Sequence, residues 1–495
     1  MLSTFLNQFV FNNFNILFTV TGIFITFVAL MSSRDYSYAR KELFYLCNII
    51  YIISFVMIIM TNNWIIFIIG WELVTVTTFL MLLWGSNKIA RVYFIIQFIG
   101  SNFLLYVVLM IINAGYTTIG PINELNLQIL LILGVGVKSA IIGLHFWLPI
   151  VHSRAPSPVS AILSGWVVKL GFIVMLKTIT SGNEFLFYAG IVMVIYGGLQ
   201  AVLSTDYKVM LAFSTISQLG FIAIGIGSGN SYAYWGSVLH IIVHGLAKTS
   251  LFLSSGYWIK ITKSRTIYNF KNAWFKDRKN SILTIIGLSV LAGMPFLAGY
   301  NSKYLIKYAA GDEIFLKYVF HILSIITYLY VFRFFRWAFF NNDKGFKKTH
   351  DEINRSNFIF STLTPILIIF GITFFSNSLI GLDNVNFHIV DGLLKNSIYI
   401  VVSLLILATF NWVHVKVKPV PSLNLLLINI KNFMNISKGD SKVNTIEVDM
   451  ENQIYNLLIN TSKAINKCTS KEITKPTFIN SNCNIIITII YIEKV

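Results

Sequence analysis

Residues that build cofactor and nucleotide sites are scarce in this sequence. Its three cysteines are isolated, with no Cys-x-x-Cys pair and no combination of cysteine and histidine at metal-ligand spacing. This pattern argues against iron–sulfur clusters, structural zinc and a disulfide framework. There is no Walker-type phosphate loop and no GxGxxG turn between a strand and a helix, which argues against nucleotide binding. We therefore expect no cofactor and no metal in this chain.

Charged residues are also scarce, at 12% of the sequence, whereas 56% of the residues are hydrophobic and the mean hydropathy is +0.71. Soluble globular proteins do not have such a composition. Stretches of about 20 mostly apolar residues can span a bilayer as helices, and they predict an all-α polytopic membrane protein with about 13 (12–14) transmembrane helices. The first stretch lacks a basic n-region and a cleavage site, so we expect it to be retained. The predicted spans are 14–31, 43–60, 64–84, 92–112, 126–150, 158–178, 186–203, 209–227, 234–257, 282–300, 313–340, 357–380 and 396–414.

The net charge of +18 is unevenly distributed along the chain, which argues against a nucleic-acid partner. Lysine and arginine gather in alternate connections and are nearly absent from the connections between them. Because membrane proteins keep basic connections inside, we expect the N-terminus outside and the C-terminal tail on the cytoplasmic or matrix side. The basic connections lie at 34–41, 88–91, 260–279, 344–355 and 416–418, and the others at 61–63, 113–125, 179–185, 228–233 and 381–394.

Composition divides the chain into four predicted zones. Residues 1–125 hold the N-terminal transmembrane helices, including the span that contains Glu72. Residues 126–340 carry nearly all of the intramembrane charge together with helix-breaking glycines and prolines, and we interpret them as the translocating core. Residues 341–418 hold plainer spans, and residues 419–495 form a polar tail rich in asparagine, lysine and serine.

Several ionisable residues lie inside the predicted spans. A charge at the bilayer centre costs about 2.5–3.5 kcal/mol, so such residues usually line a polar path or pair with each other. A single one can be a snorkelling or ion-paired side chain, but Lys138 and Lys169 lie too far from either interface to snorkel. The series therefore predicts a route for protons or cations. Its members are Glu72, Lys138, Lys169, Lys208, His240, His244, Lys248 and Lys303.

His240, His244 and Lys248 follow one another at intervals of four residues, which places them on one face of a helix. Histidine titrates near neutral pH, so two histidines one turn apart can pass a proton along the helix. A zinc site and plain polar packing are the alternatives. No carboxylate or cysteine lies near the pair in the sequence, and we favour a proton relay.

Other polar residues allow two interpretations. Lys208 begins its span beside Asp206, and it is either part of the path or one half of a surface ion pair. Three further residues flank a proline-rich turn, where they could act as gates or as interfacial polar groups. These residues are His145, His152 and Arg154.

Two segments interrupt the helical pattern with residues that break helices. One holds Pro149, Pro156 and Pro158, and the other holds Gly293, Pro295 and Gly299 just before Lys303. In hydrocarbon, a broken helix persists where it is buried in protein or faces a cavity. For the first segment, a functional break and a turn at the membrane surface are equally good explanations, whereas for the second we favour a functional break.

Together these segments resemble the antiporter-like membrane subunits shared by respiratory complex I, membrane-bound hydrogenases and Mrp-type cation/proton antiporters. The resemblance covers about residues 64–310 and lies in several long motifs in the same order. The matching segments are WEL around Glu72, GVKSAIIGLHFWLP, HSRAPSPVSAILSG, STDYKVMLAFSTISQLGF, LHIIVHGLAKTSLFLSSG and GMPFLAGYNSK.

The resemblance implies inverted helical repeats with two discontinuous helices and no cofactor in this chain. It implies that Glu72 and Lys138 form the coupled pair of one half-channel and that Lys303 ends the other, with the remaining five ionisable residues on a central hydrophilic axis. It also implies membrane-subunit partners, a bacterial or mitochondrial inner membrane, and transport of protons, with Na⁺ or K⁺ as further candidates. We favour a proton-pumping subunit of a NADH:quinone oxidoreductase over an Mrp-type antiporter or hydrogenase subunit. Whether the chain is part of an enzyme stays open, because the redox chemistry would take place in partner chains.

Overall fold

The computed structural model describes residues 8–34, 36, 41–270, 273, 277–339, 355–380, 387 and 389–409. The chain divides into two units, Met1–Pro421 and Ser422–Val495, and every described residue belongs to the first. The predicted tail at 419–495 therefore lies outside the described residues. The boundaries of the other predicted zones stay predictions.

The described residues are almost entirely helical. The first eight helices are α1 (Asn13–Ser33), α2 (Lys41–Met60), α3 (Trp64–Leu83), α4 (Asn87–Asn113), α5 (Leu125–Gly136), α6 (Trp147–Arg154), α7 (Ser157–Gly165) and α8 (Leu170–Thr178). The others are α9 (Glu184–Leu203), α10 (Tyr207–Gly227), α11 (Ser231–Thr262), α12 (Arg278–Ala292), α13 (Ala298–Ile306), α14 (Ile314–Ala338), α15 (Arg355–Ile380) and α16 (Ile389–Thr409). Short 3₁₀ helices lie at Val167–Lys169, Ile267–Phe270 and Lys307–Ala310.

Asparagine and aspartate residues start many of the long helices. The side chain of Asn63 accepts hydrogen bonds from the first turn of α3, and Asn183 and Asn230 do the same for α9 and α11. Asp206 caps α10 and Asp277 caps α12. These side chains satisfy N–H groups that have no partner inside the helix, so each apolar helix begins at a defined residue.

In the described part of the chain, ten helical segments are long and apolar enough to cross a membrane. The predicted count of about 13 is therefore not confirmed. The predicted span over 126–150 is wrong, because the helix is interrupted after Gly136. The predicted span over 282–300 is interrupted after Ala292, where the sequence also predicts a helix break. Hydropathy measures apolar composition over a window, and a broken helix keeps that composition while it loses backbone hydrogen bonds. The predicted last span is helical as far as Thr409.

Three helix breaks have distinct backbone conformations. Between α5 and α6, Ala140 has a φ of 53° and Gly143 a φ of 84°. Between α12 and α13, Gly293 has a φ of 76° and Phe296 a φ of 66°, which confirms the predicted break before Lys303. The third break, between α7 and α8, passes through the 3₁₀ helix Val167–Lys169 and was not predicted. The proline-rich turn is also present, since α6 ends at Arg154 and α7 begins at Ser157.

Helix α11 lies at the centre of the fold. It packs against α1, α7, α10, α12, α13 and α15, and its most apolar stretch is completely buried within the protein. The α7–α8 segment is buried to the same degree, and α10 nearly so, whereas α1, α2, α3, α9 and α14 are about half buried. The most deeply buried segments, α7–α8, α10 and α11, carry Lys169, Lys208, Lys248 and the two histidines of α11, so these polar side chains face protein.

The close packing at the second break gives a testable expectation. A Cβ atom at Gly299 would overlap the carbonyl oxygen of Val290. Gly299→Ala should therefore lower the free energy of unfolding by about 1–3 kcal/mol through overpacking. Thermal unfolding of the detergent-solubilised protein measures this effect. Gly371→Ala is the matched control, because a Cβ there meets open space within a helix and alanine favours helix by about 1 kcal/mol. Equal melting temperatures for the two variants would contradict the expectation.

Candidate functional site

The first break places Lys138 against helix α3. The Lys138 ammonium is buried and donates hydrogen bonds to the carbonyl oxygen of Trp71 at 2.8 Å and to Thr75 Oγ1 at 2.9 Å. It also lies 4.1 Å from the centre of the Trp71 ring. Glu72 is the next residue of α3, is half-buried, and interacts electrostatically with Lys138. The structure thus brings together the two residues that the motif resemblance couples.

Lys169 lies in the unpredicted third break. It is completely buried, and its ammonium donates a hydrogen bond to the carbonyl oxygen of Ser164. The Ser164 hydroxyl is 2.8 Å from Thr215 Oγ1 on α10, so the residue whose carbonyl holds Lys169 also bonds to the neighbouring helix. The backbones of Gly165 and Gly245 approach closely, with no room for a side chain at either position. This contact sets α7 directly against the polar face of α11.

Lys248 is held between α11 and α10. Its ammonium donates hydrogen bonds to the carbonyl oxygen of Leu211 at 2.8 Å and to Ser214 Oγ at 2.6 Å. The side chain is completely buried. Within the described residues, no carboxylate lies within 4.0 Å of it, and its hydrogen-bond acceptors are neutral. Neutral partners solvate the ammonium without binding it as tightly as a counter-ion would.

His240 and His244 lie one turn apart on the predicted face of α11. Their rings are nearly parallel, at 7°, with centres 5.7 Å apart. Nδ1 of His240 is 2.9 Å from Ser302 Oγ, whereas neither ring nitrogen of His244 has a hydrogen-bond partner among the described residues. Both rings are buried. The geometry agrees with the helical spacing seen in the sequence and leaves His244 with two unused nitrogens.

Lys303 lies just beyond the break between α12 and α13. Its ammonium donates a hydrogen bond to the carbonyl oxygen of Leu291 at 2.6 Å and lies 4.5 Å from the centre of the Phe221 ring. Leu291 is in the last turn of α12, where carbonyl groups have no partner inside the helix. The break therefore supplies the acceptor that holds Lys303. Ser302, the preceding residue, links this site to His240.

Lys208 is buried, so the surface ion pair considered from the sequence is excluded. Its ammonium donates a hydrogen bond to the carbonyl oxygen of Ala155, in the proline-rich turn, at 2.8 Å. Asp206 instead accepts from the backbone N–H groups of Lys208 and Val209. Asp206 precedes the span, and burial raises the pKa of its carboxyl against the opposing effect of these hydrogen bonds. Lys208 thus connects the proline-rich turn to α10.

The three gate candidates are in different environments. His145 is buried, with its ring centre 4.9 Å from that of Tyr196, and its nitrogens have no hydrogen-bond partner among the described residues. His152 is completely buried and stacks on Phe252 of α11 at 4.6 Å, and its nitrogens likewise have no partner in the described part of the chain. Arg154 is exposed. The interfacial interpretation therefore fits Arg154, whereas His152 lies beside the buried lysines Lys169, Lys208 and Lys248 and His145 lies against Tyr196.

The sequence reasoning missed four hydroxyl-bearing residues that bond to the lysines or to His240. Thr75, Ser214 and Ser302 bond to side chains that are distant in the sequence, so sequence proximity does not signal the pairing. The described residues contain no group of three or more histidine, cysteine, aspartate or glutamate side chains that could hold a metal ion. The missed residues are Thr75, Ser164, Ser214 and Ser302.

A comparison with known protein families assigns this chain to a family. The family model described as "NADH:quinone oxidoreductase/Mrp antiporter, TM" matches residues 61–327, more than half of the chain. The chain belongs to this family. The match covers every residue of the predicted path, from Glu72 to Lys303. The resemblance inferred from the motifs is thereby confirmed, and the chain is an integral membrane protein related to subunits of complex I and Mrp antiporters.

Curated relatives come from both branches of the NADH:quinone oxidoreductase/Mrp antiporter family. The chain is 27% identical over 442 residues to "Putative antiporter subunit mnhA2" of Staphylococcus aureus (strain JH9), which covers 77% of this chain and 54% of the relative. It is 30% identical over 328 residues to NADH-ubiquinone oxidoreductase chain 5 of Bos indicus, covering 62% of this chain and 54% of the relative. The chain thus spans about half the length of the curated relatives it matches.

Solved structures of the same family share the fold. A chain of respiratory complex I from Thermus thermophilus, with bound aureothin, matches with a TM-score of 0.66 at 19% identity, over 76% of this chain and 87% of that chain. A chain of the Mrp complex from Dietzia sp. DQ12-45-1b matches with a TM-score of 0.67 at 16% identity, over 80% and 85%. Both come from multi-subunit membrane complexes, and the fold by itself does not separate the two branches.

Proposed function

We propose that this chain is a proton-translocating subunit in the membrane arm of a complex I-like NADH:quinone oxidoreductase. The observation that carries the proposal is the buried series of lysines and histidines held by neutral acceptors. A structural ion pair would bring a carboxylate to each lysine, yet in the described residues their hydrogen bonds go to carbonyl and hydroxyl oxygens. Buried ionisable groups without fixed counter-ions are suited to gaining and losing protons.

In the proposed mechanism, Glu72 and Lys138 form the coupled pair. An ionised Glu72 stabilises the positive charge on Lys138, and neutralising the carboxylate removes that stabilisation. The proton then leaves Lys138 for the central axis, through side-chain hydroxyls and water. Lys169, Lys248 and the two histidines of α11 carry it toward Lys303. The gates are His145 and His152, which border this path with unpartnered nitrogens.

Several finer features belong to the proposal. The helices form inverted repeats, and the N-terminus lies outside. The helix ends next to the basic connections lie on the cytoplasmic or matrix side of a bacterial or mitochondrial inner membrane. The redox chemistry takes place in partner chains, and other membrane subunits flank this one. The 30% identity with NADH-ubiquinone oxidoreductase chain 5, the higher of the two identities above, supports this branch.

An Mrp-type monovalent cation/proton antiporter subunit is the second candidate. The alignment with the mnhA2 relative extends over 77% of this chain, compared with 62% for the respiratory relative. The TM-score with the Mrp complex is also slightly higher, at 0.67 against 0.66. In this case the same path would exchange protons for Na⁺ or K⁺ without any redox partner.

A native gel separates the two candidates. We expect the chain, in membranes solubilised with a mild detergent, to migrate in a very large particle that also stains for NADH oxidation. The chain is detected with an antibody, and the stain is repeated without NADH as a control. Migration in a smaller particle without NADH oxidation would overturn the respiratory assignment and favour the antiporter.

A further inference from the structure

A second polar cluster begins one helical turn beyond Lys303. Lys307 opens the 3₁₀ helix that follows α13, and its ammonium lies 5.4 Å from the centre of the Tyr399 ring on α16. The Tyr399 hydroxyl forms a hydrogen bond with Nδ1 of His321 on α14. Tyr399 is only 3% exposed, whereas Lys307 and His321 are partly exposed. The buried tyrosine therefore joins two ionisable side chains that are partly exposed.

The cluster lies on one side of Lys303 along the membrane normal. Helix α14 runs from Ile314 to Ala338 and is followed by the basic segment 344–355, which is predicted to lie inside. His321, two turns after the start of α14, is therefore nearer to the opposite side. Lys307 follows Lys303 by four residues, and residues four apart on a helix share a face. Lys307 therefore lies on the same face as Lys303 and nearer to the side where His321 lies.

We propose that Lys307, Tyr399 and His321 form the outward branch of the path, which releases protons from Lys303 to the outer side. This inference rests on the proposed translocation function. The Lys307 ammonium gives a proton through water to the Tyr399 oxygen as Tyr399 passes its hydroxyl proton to His321 Nδ1. Lys307 becomes neutral, the phenol is unchanged, and His321 becomes an imidazolium. His321 then releases the Nε2 proton to outer water, and proton exchange with water restores the starting tautomer.

The neighbouring titratable groups are consistent with release of a cation. Lys395 is exposed one turn before Tyr399 on α16, and its electrostatic interaction with Lys307 is repulsive. Tyr328 of α14 packs near Tyr399, but its hydroxyl donates a hydrogen bond to Asn396 Oδ1 at 2.7 Å. The Tyr328 hydroxyl proton is therefore used in a bond outside the cluster. Lys307 and Lys395 also repel a positive charge on His321, which favours release of the proton from the imidazolium to outer water.

The test measures proton flux into inverted membrane vesicles that contain the intact complex, normalised to the amount of the chain. We expect Tyr399→Phe and His321→Ala each to lower the flux about 10-fold or more, since each removes one proton-transfer group. Added imidazole should restore flux in His321→Ala, because that site is partly exposed, and should have no effect on Tyr399→Phe. If Tyr399→Phe fails to accumulate, His321→Ala and its rescue decide the matter. The matched control Tyr318→Phe changes an exposed residue of α14, the helix that carries His321, and should retain wild-type flux.

The outcomes distinguish this branch from the proposed function. Wild-type flux in Tyr399→Phe and His321→Ala, with an inactive Lys303→Ala, overturns the outward branch and leaves the proposed function standing. Loss of flux in His321→Ala that imidazole does not restore also overturns the branch, since the side chain would then serve packing. Wild-type flux in Lys303→Ala overturns the proposed function itself.

Discussion

Replacing Lys138 with alanine is expected to lower proton translocation about 100-fold or more while the protein still inserts into the membrane. The substitution removes the ammonium that hydrogen-bonds Trp71 and Thr75 beside Glu72. Thr75 Oγ1 retains a hydrogen bond to the Trp71 carbonyl at 3.2 Å, so α3 keeps its local structure. The measurement is acidification of inverted vesicles that hold the assembled complex.

Lys317→Ala is the matched control, because this lysine is half exposed on α14 and pairs with an exposed aspartate, Asp312, at 3.8 Å. It should translocate protons at the wild-type rate. Glu72→Ala should behave like Lys138→Ala, since the mechanism couples the two residues. Wild-type flux in either the Lys138 or the Glu72 variant would remove that residue from the path.

Replacing His244 with phenylalanine should abolish translocation without reducing stability. Neither nitrogen of His244 has a hydrogen-bond partner among the described residues, so the change breaks no hydrogen bond between them. A buried polar atom without a partner costs about 1–3 kcal/mol, and the apolar ring removes that cost, which offsets the strain of placing a somewhat larger ring. We therefore expect a melting temperature in detergent that is equal to or above that of the wild type, together with a flux lowered about 100-fold or more.

This combination separates a proton relay from polar packing. If His244 served packing alone, His244→Phe would keep wild-type flux. Thr249→Val is the control on the same helix, because it removes a buried hydroxyl that bonds the Gly245 carbonyl but removes no ionisable group. Thr249→Val should keep the wild-type flux. Loss of flux in this variant would show that α11 does not tolerate the removal of a buried polar group, ionisable or not.

Most helices of this protein could be predicted from hydropathy, whereas the breaks could only partly be predicted. The α12–α13 break carries Gly293 and Pro295, two residues with a known local effect, and the sequence signals it. The break after α5 contains Ala140 in a left-handed conformation, which alanine does not favour. No local preference predicts that conformation, so surrounding packing must impose it. The predicted span over 126–150 is wrong for this reason.

The sequence by itself determined that this is a helical membrane protein of the NADH:quinone oxidoreductase/Mrp antiporter family, and that ionisable residues lie inside its spans. Apolar composition and helical spacing are local properties, so they can be read along the chain. Only the tertiary structure decided which groups hold these residues. Lys138 bonds to α3, Lys208 to the proline-rich turn and Lys303 to the end of α12. In each case a backbone carbonyl on another helix or turn accepts a hydrogen bond, and backbone atoms leave no signature in the sequence.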